Sequence, residues 1–250
     1  MSDERDKIRE YWNNSGEERA KKTFYVTDPE AIKESVLNSK YIHFKDLVDV
    51  GGGIPVAANV LSIACGNCWL EARAFNDYSF KNLTGIDYSE HRVREIAPDL
   101  LSNYGIPKNQ YSLYAEDLFE HNFDGEMFDV IILNQAFHHF DNPQRLLELI
   151  DAILSENGKI VITGEHYFSF VDRFVAFLKY YPKFIINHKG RRKTMKLLPH
   201  YEDLFPHCPI KGDNHYPDQL YVKFASYFNY EVNKLVDRKL RVKSFVFLRP

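Results

Sequence analysis

Three groups of residues have types and spacings suited to chemistry. The first is Ala64-Cys65-Gly66-Asn67-Cys68, a run of small residues between an apolar stretch and a helical pattern that opens at Trp69. Small residues let backbone N–H groups approach a ligand closely, and the helix N-terminus behind them favours negative charge. The second is an acid, Asp87, which follows Gly66 by 21 positions at the end of the next apolar run. In nucleotide-binding α/β folds an acid placed there takes ribose hydroxyls. The third gathers proton carriers: Asn134 and Gln135 lead into His138 and His139, and Glu165 and His166 leave a later apolar run. His139, His166 and Glu165 are the candidates for taking a proton from a substrate.

The pair Cys65 and Cys68 opens a different chemistry, because a thiolate at a helix N-terminus is stabilised by the helix dipole. A thioredoxin-like dithiol fits poorly. The strand–helix alternation runs on through five strands, and Asp87 and Asp117 have no role in dithiol exchange. Zinc needs four ligands, and the spacing brings nothing from His207-Cys208 to Cys65, so no metal is expected.

The elements that must position these groups can be read in order. Val60–Ile63 is a buried parallel strand, Asn82–Tyr88 a second, Gln110–Tyr114 a short third, Phe128–Leu133 a strong fourth and Gly158–Thr163 a fifth. Ser89 is expected to cap a helix that runs to about Tyr104 and is kinked or divided at Pro98. Asn142-Pro143 starts a helix to about Leu154. Ahead of the first strand, Asp28-Pro29-Glu30 opens a helix to about Asn38 and a second runs from about Lys40 to Val50, before the connector Gly51-Gly52-Gly53. Asp3–Asn13 is an amphipathic helix whose Tyr11-Trp12 either docks the arm or forms a lid. After Pro217 a helix reaches about Phe228, and Glu231–Val236 with Val242–Leu248 make a hairpin. Ligands bind such folds at the carboxyl ends of parallel strands, which is where Asn134, His138 and His139 fall.

Ser62-Ile63-Ala64-Cys65-Gly66-Asn67-Cys68, together with Asp87, Asp117 and Asn134-Gln135-Ala136-Phe137-His138-His139, resembles the class I methyltransferases that use S-adenosylmethionine (SAM). Their first motif is an acidic or small polar residue followed by Gly-x-Gly-x-Gly. Only the middle glycine is present here, and Ala64 and Cys68 stand at the other two, so a turn tighter on the cofactor is expected. The resemblance implies a seven-stranded, mostly parallel Rossmann-like sheet, with SAM as cofactor and S-adenosylhomocysteine (SAH) as product. It implies that Ala64, Cys65, Gly66, Asn67 and Cys68 wrap the methionine part, that Asp87 and Tyr88 hold the ribose, and that Asp117 with Leu118 reads the adenine. Asn134, Gln135 and His139 would border the methionine end. A nicotinamide dehydrogenase shares the acid, but its turn needs glycines for close approach to a pyrophosphate. SAM has no phosphate and tolerates their loss better.

Composition sets the frame. Of 250 residues, 44% are hydrophobic and 15% aromatic, enough for a sizeable core. A net charge of −3 gives no global reason to expect nucleic acid. The charged start lacks the apolar core of a signal peptide, no run approaches a membrane span, and three cysteines fit a reducing compartment, so a cytoplasmic location is expected. The expected organisation is a helical arm or cap over 1–58 and a methyltransferase domain over 59–250, interrupted by a helical insertion over about 168–215. Within the insertion Phe170, Phe174, Phe177, Leu178 and Tyr181 recur at helical spacing beside Lys179, Lys183, Lys189, Arg191, Arg192 and Lys193. That pattern suits a core-packed helix with a solvated basic loop, a lid over an anionic acceptor, or a helix at a membrane surface. The expected activity is methyl transfer to a small acceptor, with a saccharide or lipid-linked saccharide hydroxyl favoured. The alternative is a non-catalytic scaffold of the same fold, and the oligomeric state is left open.

Overall fold

A computed structural model describes residues 7, 9–13, 27–167 and 216–250. Its centre is a seven-stranded sheet of β1 (Asn59–Ile63), β2 (Asn82–Asp87), β3 (Tyr111–Ala115), β4 (Phe128–Asn134), β5 (Leu154–His166), β6 (Glu231–Asp237) and β7 (Val242–Leu248). The spatial order is β3-β2-β1-β4-β5-β7-β6. The first five strands are parallel, while β7 runs antiparallel to β5, and β6 to β7. The chain steps outward from β1 in both directions, so the topological switch lies between β1 and β4, where open α/β sheets bind ligands.

Alternation within the apolar strands builds two cores, one on each face. Val60, Val130 and Ile132 join one cluster with Phe44, Leu47, Leu70 and Leu100. Those come from α2 (Val36–Val50), α3 (Trp69–Tyr78) and α4 (Ala97–Asn103). Leu61, Ile131 and Leu133 join the other with Leu146, Ile150 and Tyr221, from α5 (Pro143–Ile153) and α6 (Asp218–Tyr227). Strands covered on both sides read as continuous apolar runs, which is why they were legible.

Two boundaries differ from expectation, and a third, at Pro98, agrees with it. The break between α1 (Pro29–Glu34) and α2 falls at Ser35, whose hydroxyl accepts from Leu37 N–H and caps α2, so Asn38 and Lys40 sit in one helix. At Pro98 the run is divided as expected: a π turn over Arg92–Ile96 gives way to α4 at Ala97, with the proline in the first turn of α4. The widened turn makes room for a residue that has no N–H to give. The fifth strand begins at Leu154 and continues past Thr163 to His166, with an irregularity between Ile162 and Glu165. Among the described residues no helix is long and apolar enough to cross a membrane. The basic and aromatic run expected over 168–215, with His207 and Cys208, lies outside the described residues.

Candidate functional site

The turn after β1 has the backbone that glycines would adopt. Ala64, Gly66 and Cys68 all take left-handed conformations, with φ of 53°, 55° and 58°. For Ala64 and Cys68 this costs about 1–2 kcal/mol each. Cys65 N–H donates to Ile86 O, and Gly66 N–H donates to Asp87 Oδ2 at 2.8 Å, so β2 holds the turn. The second Asp87 oxygen accepts from Ser89 N–H at 2.7 Å. Turn and acid, joined by inference in the sequence, are in direct contact.

The two thiols do not narrow the crevice. Cys68 is fully buried, and a Cβ on Gly85 of β2 would lie 3.0 Å from Cys65 Sγ and 3.4 Å from Cys68 Sγ. The side chains therefore pack down onto β2, and the expectation of a turn tightened on the cofactor by Cys68 is corrected. The hydrogen bond with Cys68 and then burial push the Cys65 thiol well above its ordinary range. At Cys68 the partner's effect is downward, but burial with the Glu71 and Asp87 carboxylates outweighs it. Both remain protonated and unreactive, as buried structural cysteines are. Among the described residues no group of three or more His, Cys, Asp or Glu side chains is arranged to hold a metal ion.

The N-terminal arm lies over this crevice. Asn13 Oδ1 accepts from Glu90 N–H at 2.8 Å, supplying the cap expected from Ser89, whose own hydroxyl donates to Trp12 O. The Trp12 ring meets His139 edge-on at 5.1 Å and has the Arg92 guanidinium 5.6 Å from its centre. Arg92 in turn lies beside Gly66, 3.6 Å from where a Cβ would be. Of the two expectations for the aromatic pair, Trp12 docks and also spans the crevice from the β1 turn to the β4 exit.

The pairing of Asp87 with Ala115 sets the exits of β2 and β3 side by side. Asp117, 5% exposed, follows there, and one of its oxygens accepts from Phe119 N–H at 2.9 Å. Leu118 is buried next to it. On the other side of the switch, Asn134 pairs with Thr163, and Gln135 turns the chain with φ 54°.

Beyond that turn the histidines and Glu165 converge. Glu165 is 2% exposed, and both of its oxygens lie 3.1–3.2 Å from His138 Nδ1. Tyr221 of α6 donates to the same carboxylate at 3.3 Å. Burial raises the Glu165 carboxyl, but His138, His139 and His166 together outweigh it, and the group is held below the usual carboxylate range. An ionised Glu165 fixes the proton of His138 on Nδ1, the orienting arrangement of a carboxylate–histidine pair. The rings of His139 and His166 lie 4.2 and 5.3 Å from that of His138. His139 is exposed and His166 partly buried. Glu165 thus sits behind His138, and His138 joins the three expected candidates. The strand exit pointed to the pair His138-His139, but no local pattern could tell which of them a carboxylate backs, because that partner is 27 residues away on another strand.

Comparison with known proteins follows the same outline. Residues 61–160 match a family model described as a methyltransferase domain. An uncharacterised methyltransferase of Schizosaccharomyces pombe is 25% identical over 109 residues, covering 42% of this chain and 37% of that protein. The match thus spans little more than a third of the relative's length. Among solved structures, magnesium protoporphyrin IX methyltransferase from Synechocystis PCC 6803 with bound SAH is similar with a TM-score of 0.59 at 13% identity, covering 99% of this chain and 100% of that one. The mitomycin 7-O-methyltransferase MmcR gives a TM-score of 0.59 at 15% identity over 88% of this chain and 56% of that one. These likenesses establish the fold.

Proposed function

We propose that this chain, which carries a methyltransferase domain of the class I, Rossmann-like type, moves a methyl group from SAM to a small-molecule acceptor. The observation that carries the reading is the Gly66 N–H to Asp87 contact, beneath a turn that holds glycine-like φ at Ala64 and Cys68. Backbone strain persists where surrounding structure enforces it, and here it keeps the turn open for a ligand. The same geometry argues against a scaffold that has lost its cofactor site.

In this reading the turn from Ala64 to Cys68 wraps the methionine part of SAM. Asp87, fixed by two backbone N–H donors, presents its remaining lone pairs to the ribose hydroxyls, with Tyr88 beside it. Asp117 and Leu118 bound the adenine, and Asn134, Gln135 and His139 the methionine end. SAM supplies a methyl group already activated by its sulfonium charge. The protein's tasks are alignment of the acceptor and exclusion of water. For a hydroxyl acceptor, His138 backed by Glu165 is the favoured proton carrier, with His139 and His166 next to it. We assign the acceptor to the anionic class, a saccharide or lipid-linked saccharide, on the basic and aromatic composition of residues 170–196. Peripheral membrane contact and the division at residues 58/59 belong to the same proposal.

Calorimetric titration with SAM, SAH and NAD tests the reading. Saturable binding of the first two and not of NAD is expected. Asp87→Ala should weaken SAH binding at least tenfold, since hydrogen bonds to a charged group contribute about 1.5–3 kcal/mol. Normal SAH binding by that variant, or binding of NAD alone by the parent, would overturn it.

A further inference from the structure

Among the described residues burial holds the pKa of three lysines below the ordinary value, and two of them are answered from within. Lys159 donates to Gly51 O and Gly53 O and ties down the connector before β1. Lys243 pairs with Asp218 and donates to Tyr216 O. Lys40, half-buried in the second turn of α2, differs. It reaches across 95 residues of sequence to one neutral acceptor, Gln135 Oε1, at 2.7 Å. Among the described residues it has no carboxylate partner, and burial is the only influence on its pKa. An ammonium carries three donors, and one amide oxygen does not offset the loss of water around a cation.

Its place, beside the residue on which β4 leaves the sheet, suits it to an anionic group of a ligand. Gln135 is the residue on which β4 leaves the sheet, at the switch point. Its N–H donates to Thr163 O at 2.7 Å, and its side chain lies over Gly164, where a Cβ would come within 2.6 Å of Gln135 Cγ. The amide that faces Lys40 is therefore clamped from below. We propose that Lys40, aimed by Gln135, receives the α-carboxylate on the methionine part of the methyl donor. The assignment rests on the reading of the crevice given above and adds the group that distinguishes the amino-acid end of the cofactor. An acceptor's carboxylate offers the same chemistry, and the choice of ligands separates the two sources.

The test measures binding of SAH and of its decarboxylated analogue, which keeps the adenosine, the sulfur and the amine, to the parent protein, Lys40→Met and Lys40→Arg. The parent should prefer SAH roughly ten- to hundred-fold, the range of one charge-assisted hydrogen-bonded contact. Lys40→Met should erase that preference by weakening SAH alone, and Lys40→Arg should keep most of it. Equal loss of both ligands in Lys40→Met would reduce the lysine to a structural role and overturn the proposal. Unchanged SAH affinity in that variant would equally overturn it, the cofactor's carboxylate then lying elsewhere. Failure of the parent to bind either ligand is a separate result, which removes the methyl-donor reading itself.

Discussion

Glu71, in the first turn of α3, carries a pH dependence that can be worked from its surroundings. It is 1% exposed, and Ser62 Oγ donates to its Oε1 at 2.6 Å. Burial raises the carboxyl from 4.5 to about 7, against the smaller downward effect of Ser62 and of its own backbone N–H. The folded chain therefore holds this proton more tightly than the unfolded one. The stability it contributes is complete below about pH 4.5 and is lost as pH rises through about 7. That interval corresponds to about 3 kcal/mol, at about 1.4 kcal/mol for each tenfold change. Glu71→Gln keeps the volume, cannot ionise, and lets Ser62 Oγ accept instead of donate. Urea unfolding at pH 5, 6, 7 and 8 should show the variant gaining up to about 3 kcal/mol on the parent toward pH 8, a difference of roughly 6–12 °C in Tm for a chain of this size. Parallel stability curves for the two proteins would refute the argument, because they would mean that the buried carboxyl titrates alike folded and unfolded.

Two further substitutions probe the crevice walls. Gly164 has φ 74° and sits beneath Gln135. Gly164→Ala should cost about 1–3 kcal/mol in urea unfolding, and should weaken SAH binding by displacing the amide that aims Lys40. Trp12 bridges Arg92 and His139 from outside both apolar cores. Trp12→Ala should leave stability within about 0.5 kcal/mol and speed SAH release in stopped-flow displacement, whereas an unchanged release rate would return the ring to a purely docking role.

What the sequence disclosed and what it withheld separate along a physical line. The strands were legible because central parallel strands are apolar on both faces, and the turn with Asp87 was legible because strand, tight turn, helix and acid recur at a spacing that the backbone path imposes. Contacts between side chains far apart in the chain carry no such local mark. Lys40 meets Gln135, His138 meets Glu165, and Asn13 caps the helix after β2, each through tertiary structure alone. The Ser35 break did have a local signal, a serine that can cap.

Ser62 and Glu71 show how one side-chain contact ties the first strand to the helix that follows it. The methyltransferase motif that this turn resembles admits an acidic or a small polar residue at the position of Ser62. A serine in a fully buried strand needs a hydrogen-bond partner, and the helix that follows the turn passes directly over the strand. One carboxylate on the inner face of that helix satisfies the hydroxyl, and the hydroxyl in turn makes burial of the carboxyl tolerable. Hydroxyl and acid stand nine positions apart in the chain, and their contact joins strand and helix across the turn.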